Sequence, residues 1–271
     1  MKFSVSRYKG LFYFDSSFRP IPLEQHFIGI KGKPGSTTSR KNLDRVTFQK
    51  VSNLVAAGHQ VMVFVHARKE TVKTAMGLRE TALLEGNSDD FTCENHPQFS
   101  LFRRDVGGSR NKEMKLLFDN GFGIHHAGML RSDRSMMERM FEARAIKVSI
   151  RLRFQARLHS IRRCCAVPQL LLGESTYLHM LVRSYTFPRP QLISPRNPVI
   201  IKGTQVYDSS RGAFVDLSVL DVLQVFGRAG RPGLETSGEG YICTTEDKFA
   251  HYLSAVTSQV CDRNLLALGA F

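Results

Sequence analysis

The stretch Gln224-Val-Phe-Gly-Arg-Ala-Gly-Arg-Pro-Gly233 holds the residue types and spacing best suited to a phosphate. Arg228 and Arg231 leave the end of a helix at i, i+3 spacing, which places both on one face. A planar guanidinium donates two parallel hydrogen bonds to phosphate oxygens. Set against a transferring γ-phosphate, it accelerates the reaction roughly 10³–10⁵-fold. Gly227 and Gly230 remove side chains that would block a close neighbour. Two arginines alone suit a helix C-terminus equally well, because positive charge complements the dipole there. The complete string is what points to phosphate. Two other groups are ambiguous on residue types alone. His125 and His126 have no third ligand at metal spacing and read as packing at a strand end. Asp208-Ser209-Ser210-Arg211-Gly212 lies between two β-prone runs and reads as the tip of a surface hairpin.

The elements that must position these groups alternate between strand and helix. A helix is expected from Asp44 to a stop at Gly58, then a strand over Val61–His66 whose continuous apolar run fits burial on both faces. A helix over roughly 69–84 follows, then a polar loop over 86–108, a short helix Lys112–Phe118 closed by Gly121, and a strand Phe122–His126. Ser132 is placed as the cap of a helix running to about Arg144, and Ala145–Val148 as the start of a strand that then breaks off. Regularity resumes with a strand Val199–Lys202, the hairpin arms Thr204–Tyr207 and Gly212–Leu217, a helix over 219–229, a strand Gly240–Thr244 and a helix Glu246–Gln259. Such alternation predicts an α/β fold with a parallel sheet and right-handed crossovers.

The chain has 271 residues and a formal net charge of +14, with 42% hydrophobic residues, enough for a real core. It has no apolar run long enough to span a membrane, and its start, Met1-Lys-Phe-Ser-Val-Ser, lacks the apolar stretch of a signal peptide. Five cysteines without a CxxC pair argue against a disulfide framework or a zinc site. The positive charge suggests an anionic partner, most often nucleic acid. It is uneven, however: residues 148–198 hold eight arginines, one acid and no lysine.

Taken together, the stretches resemble superfamily 2 helicases of the tandem-cassette RNA-helicase class. Gln224–Gly233 resembles their motif VI, Val61-Met-Val-Phe-Val-His-Ala-Arg-Lys-Glu-Thr71 their motif IV, and Gly123-Ile-His-His-Ala-Gly-Met129 their motif IVa. Gly10–Gln25 looks like the entry to the second RecA-like domain, and Val199–Tyr207 with the hairpin looks like the strand-separating element before motif VI. Within the class the likeness is nearest to the helicase subunits of activating-signal-cointegrator (ribosome-quality-control trigger) complexes, with the spliceosomal helicase that unwinds U4/U6 second. It covers roughly residues 1–147 and 199–259.

The resemblance implies an α/β RecA-like parallel sheet with flanking helices over 20–147 and 199–259, interrupted by an irregular insert over 148–198. Residues 1–20 would be the linker from a first RecA-like domain, and 260–271 a divergent tail. It further implies that Arg228 and Arg231 face the γ-phosphate of ATP, with Gln224 and Gly227 beside them. His66, Arg68, His126 and Gly128 would line the RNA backbone groove. Asp208, Ser209, Ser210, Arg211 and Gly212 would form the wedge that parts a duplex. ATP and magnesium would need the first RecA-like domain, which carries the P-loop and the magnesium acid. Here no GxxxxGK[ST] and no DExH or DExD occurs, and Gly32-Lys33 is followed by Pro34. The implied partners are RNA, the first RecA-like domain and a ribosome-associated complex. Translation surveillance implies the cytoplasm and splicing implies the nucleus. The literal chain is expected not to hydrolyse ATP; its rival reading is a binding fragment without catalysis.

Motif V is expected inside the basic window, where the family reads Ala-Trp-Gly-Val-Asn-Leu-Pro-Ala-His-Ala and this chain reads Leu172-Gly-Glu-Ser-Thr-Tyr-Leu-His-Met-Leu181. These residues back-translate as CTT GGG GAG TCA ACC TAC CTG CAC ATG CT after a G that ends the Leu171 codon. Read one base earlier, the same bases encode the family's ten residues. Val148-Ser149 and Val182-Arg183 permit intron 5′ sequences. Residues 165–181 therefore read as motif V out of frame, and 148–164 and 182–198 as translated introns. On that reading the charge of the window is no RNA-binding surface.

Overall fold

The computed structural model describes residues 21–152, 197–208, 211–230 and 237–259, with the backbone of Leu265–Ala267. They fall in one compact unit, and residues 153–196 lie outside the described residues.

The strands are β1 (Leu23–Ile30), β2 (Val61–Val65), β3 (Phe122–His125), β4 (Val148–Leu152), β5 (Val199–Lys202), β6 (Gln205–Asp208), β7 (Ala213–Asp216), β8 (Gly238–Thr245) and β9 (Leu265–Ala267). The helices are α1 (Thr37–Ala56), α2 (Arg68–Glu85), α3 (Ser88–Phe91), α4 (Phe99–Gly108), α5 (Lys112–Phe118), α6 (Arg131–Glu142), α7 (Val219–Phe226) and α8 (Glu246–Gln259). Seven strands form one sheet in the order β3-β4-β2-β5-β8-β1-β9, and β6 and β7 form a separate antiparallel pair. Every pairing in the large sheet is parallel. This is the α/β parallel arrangement that the alternation of elements predicts, and it is consistent with the RecA-like sheet that the resemblance implies.

Parallel strands need crossovers, so helices cover both faces and the strands must be apolar throughout. All five residues of β2 are buried, as are seven of the eight in β8. The two faces can be told apart by what presses on them. A Cβ at Gly240 would lie 2.6 Å from the Phe226 ring, and one at Gly29 would lie 3.6 Å from the Phe249 ring. Gly29 pairs with Thr244, two pleats on from Gly240, so α7 and α8 share one face. Tyr241 points to the other, where Lys50 of α1 sits 5.8 Å from its ring centroid. On the α1 side a stack of Phe48, Phe91 and Phe122 fills the core, with centroids 6.3 and 5.1 Å apart.

Several expectations are revised. α1 begins at Thr37 under a Ser36 cap that accepts from the Ser39 amide at 3.1 Å, two turns before Asp44. α6 begins at Arg131 after Leu130, without a side-chain cap from Ser132. The polar stretch 86–108 contains α3 and α4, because Phe99, Phe102 and Val106 make a buried helical stripe. β1, between β8 and β9, had no strand assignment at all, and Leu265–Ala267 of the tail pairs with it.

The most consequential revision concerns 148–198. Its first five residues are not irregular: Val148–Leu152 form β4 between β2 and β3. A strand at that place requires a short β-branched run and a full ladder of backbone bonds, and Val148 and Ile150 are completely buried there. At the other end Asn197 is buried and Pro198 O accepts from the Met62 amide at 3.0 Å. The rest of that segment and the linker over 1–20 lie outside the described residues.

Candidate nucleic-acid groove and arginine face

In a parallel sheet all strands end along one edge, and loops there converge on ligands. Along this edge β3 ends at His125, β2 is followed by His66 and Arg68, and β5 leads into the hairpin of β6 and β7. Arg68 is the exposed first residue of α2. A Cβ at Gly128 would meet Arg68 Nη1 at 3.0 Å, Arg68 Cδ at 3.2 Å and His126 Nδ1 at 3.2 Å. The arginine therefore lies directly over the Gly128 backbone, beside the imidazole. The Gly128 amide donates to His126 Nδ1 at 3.2 Å.

Burial, then the neighbouring Arg68 charge, lowers the His126 pKa, against an opposing pull from Glu113. The imidazole is thus neutral near pH 7, and with Nδ1 accepting, its proton sits on Nε2. The cluster offers one fixed cation and one neutral N–H donor, a set suited to a phosphodiester. His125 has a different role. Its Nε2 bonds Glu138 Oε1 at 2.8 Å, and burial followed by the Arg151 charge lowers its pKa. It packs at the strand end, as its residue type alone suggested.

His66 is turned toward the hairpin. Its Nε2 donates to Gly203 O at 2.7 Å, directly after β5. Lys202 beside it is nearly buried, with Nζ 2.6 Å from Asp44 Oδ1 and 2.8 Å from Thr74 Oγ1. The Gly203 amide donates to Cys243 O at 2.9 Å and the Leu217 amide to Thr204 O at 2.7 Å. The Thr204 and Thr244 hydroxyls bond at 2.7 Å, Tyr252 Oη donates to Leu217 O at 2.7 Å, and Lys248 pairs with Asp216 at 2.8 Å. The hairpin root is thereby tied to β2, α1, α2, β8 and α8. Toward the tip, Arg211 Nε lies 3.6 Å from Asp208 Oδ2 and Gly212 takes a φ of 62°. Ser209 and Ser210 lie outside the described residues. On the stem, Tyr207 and Phe214 meet edge-on at 5.4 Å and are 58% and 64% exposed.

The arginine string occupies the opposite edge. Ser218 caps α7 by accepting from the Asp221 amide at 3.2 Å. Gln224 and Arg228, one turn apart, are both exposed. Gly230 has a φ of 76°, and a Cβ there would lie 3.1 Å from Gly238 Cα and from Ile21 Cγ2. This close approach places the turn where β1 and β8 begin. Gly230 makes room for a neighbour as expected. At Gly227 the atoms nearest a Cβ are the Gln224 and Leu223 carbonyl oxygens of its own helix, at 3.2 and 3.4 Å, so the close neighbour there is the preceding turn. Arg231 lies outside the described residues. Among the described residues there is no group of three or more His, Cys, Asp or Glu able to hold a metal ion.

The structure brings Arg68, His126 and Gly128 together, whereas Lys202 and the aromatic stem pair were not among the sequence candidates. The Lys202-Gly203 step at a strand end was the available signal for the first, and the Tyr207 and Phe214 positions flanking the turn for the second.

No protein-family model matches the chain. Its sequence is similar to the RQC trigger complex helicase SLH1 of Saccharomyces cerevisiae, at 43% identity over 94% of this chain and 11% of that protein. It is 44% identical to activating signal cointegrator 1 complex subunit 3 of Gallus gallus, over 94% of this chain and 10% of the relative. The Arabidopsis thaliana DExH-box ATP-dependent RNA helicase DExH14 is 44% identical over 93% of this chain and 10% of its own length. The chain thus spans about a tenth of the length of the curated relatives it matches.

Proposed function

We propose that the chain, a homologue of one segment of the helicase SLH1 and of activating signal cointegrator 1 complex subunit 3, is the second RecA-like domain of an ATP-dependent RNA helicase. The observation that carries the proposal is the Arg68–Gly128–His126 cluster at the strand-ending edge, with an arginine turn at the opposite edge. RNA is held by its backbone through Arg68, the His126 N–H and main-chain amides, which makes binding tolerant of sequence and sensitive to salt. The hairpin of β6 and β7, fixed at its root by His66 and Lys202, is the element that parts a duplex.

The arginine face contributes Arg228 and Arg231, with Gln224 beside them, to a cleft completed by another RecA-like domain. ATP with magnesium, when bound there, supplies phosphoryl transfer to water. The role of this chain is to place guanidinium charge against the phosphate oxygens as negative charge builds. Alone, the chain binds RNA and does not turn over ATP. The name of one relative, RQC trigger complex helicase, supports a ribosome-associated complex as the setting, and a cytoplasmic location is part of the same proposal. An ATPase assay of the purified chain with RNA tests this reading. Bound RNA without turnover supports it, and RNA-stimulated phosphate release overturns it.

A further inference from the structure

Residues 31–50 hold six basic side chains, Lys31, Lys33, Arg40, Lys41, Arg45 and Lys50, against one acid, Asp44. Outside the window 148–198, most of the chain's positive excess lies in these twenty residues. Lys31, Lys33, Arg40, Lys41 and Arg45 are all exposed, and among the described residues none has an ion-pair partner. The lone acid does not neutralise them, because Asp44 is engaged by Lys202 at 2.6 Å.

That ion pair also locates the patch. Asp44 and Leu43 of α1 face the hairpin root, where a Cβ at Gly203 would lie 3.4 Å from Leu43 Cδ2. Arg40 and Lys41 lie one turn nearer the start of α1 on the same side, at i−4 and i−3 from Asp44. The loop bearing Lys31 and Lys33 is strapped to α1 by Asn42 Nδ2, which donates to Lys31 O at 3.1 Å. In the sheet order, β5 stands between β2 on one side and β8 and β1 on the other. At the strand-ending edge the hairpin root therefore separates two positive surfaces. One is the Arg68–His126 cluster after β2 and β3, and the other is the Lys31–Arg45 patch after β1.

We propose that the Lys31, Lys33, Arg40, Lys41 and Arg45 surface binds the phosphates of the second strand of a forked RNA, across the hairpin from the strand held by Arg68 and His126. This inference rests on the RNA reading of the preceding section. A strand-parting element needs the two strands on opposite sides of it, and a displaced strand presents only phosphates and unstacked bases. Flexible lysines and arginines without acidic neighbours fit that backbone and do not select sequence.

The test is fluorescence anisotropy with the full 271-residue chain and two RNAs, a single strand and a fork in which half of that strand is annealed to a partner. The variant carries Lys31→Ala, Lys33→Ala, Arg40→Ala and Lys41→Ala. The expected result is a fork affinity lower by about tenfold or more and a salt slope shallower by about 3, from four single-strand phosphate contacts. Single-strand affinity should stay within about twofold, since that strand is held at the Arg68 cluster. A companion variant with Lys31→Arg, Lys33→Arg and Lys41→Arg should keep fork affinity, which separates loss of charge from loss of fold.

Unchanged fork affinity in the alanine variant, or an equal loss for both RNAs, overturns the proposal while leaving the RNA reading intact. So does a variant that keeps the fork but loses binding to polyglutamate, which assigns the patch to an acidic protein surface. A wild-type chain that binds neither RNA overturns the RNA reading itself and this inference with it.

Discussion

Replacing Gly128 by alanine separates a binding defect from a folding defect. Gly128 is exposed and its backbone is not in the left-handed region, so alanine is tolerated conformationally. The new methyl group would meet Arg68 Nη1 at 3.0 Å and Cδ at 3.2 Å, with His126 Nδ1 also at 3.2 Å. The first of these atoms ends a flexible side chain, so the arginine yields and the fold does not. Stability should change by no more than about 0.5 kcal/mol, as for most exposed substitutions. On the proposed reading, the RNA contact of Arg68 is what suffers. A hydrogen bond to a charged group contributes about 1.5–3 kcal/mol, and complete loss of the Arg68 contact would lower affinity roughly 10–150-fold. Partial displacement should cost about fivefold and flatten the single-strand salt slope by about 0.7, the value of one phosphate. The assay is anisotropy against single-stranded RNA across a salt series, paired with urea denaturation. The decisive control repeats the change in an Arg68→Ala background, where it should have no further effect. An equal loss in both backgrounds would refute the reasoning, because the methyl group would then not act through Arg68.

Three further outcomes follow from the geometry. In Gly238→Ala the methyl group would lie 2.8 Å from the Ala229 carbonyl carbon and oxygen, which are backbone atoms. Urea denaturation should show a loss of about 2 kcal/mol, because the turn carrying Arg228 must move away from β8. Burial lowers the pKa of His26, as it does for His125 and His126. The folded state therefore resists the protons that the unfolded chain takes up near pH 6.5. Stability is fully present above that pH and falls as pH drops toward 5, and His26→Phe, which keeps the ring stacked 4.5 Å from Tyr241, should flatten the slope seen by denaturation. Cys243 is wholly buried and its thiol is pushed up to about 12 by burial. Peptide-level maleimide labelling at pH 8 should leave it unmodified until denaturant is added.

What could be read in the sequence depended on whether burial and local pattern agreed. Val61–Val65 was plain because a central strand covered on both faces must be apolar at every position. β1 was not, because it begins with Leu23-Glu24-Gln25-His26, and Gln25 and His26 are buried only by the sheet around them. The start of α1 was misplaced because Asp44 has the chemistry of a cap, whereas its carboxylate is engaged by Lys202 across 158 residues of sequence. No local rule reveals such a pairing. α4 was discernible in principle from the spacing of Phe99, Phe102 and Val106, but its glycines and polar neighbours masked it. Val148–Leu152 shows the opposite limit. A run set aside for its origin still satisfies the pleat, because a buried strand asks only for short, branched, apolar residues at the right pitch.

For the site, residue types singled out the Arg228 turn and the resemblance to helicase motifs singled out Arg68, His126 and Gly128, while their separation needed the topology. Nothing in the spacing of the motifs says that one group lies where strands end and the other where they begin. That follows only from the parallel order and from Gly230 meeting Gly238.

The separation of those edges is also the most direct test of the central claim that this chain grips RNA at one edge and offers arginines to a nucleotide at the other. RNA affinity of the full chain should be measured for an Arg68→Ala, His126→Ala variant beside an Arg228→Ala, Arg231→Ala variant. The account predicts at least a tenfold loss for the first pair and near-wild-type binding for the second. Equal losses for the two pairs, or no RNA binding by the wild-type chain, would contradict it.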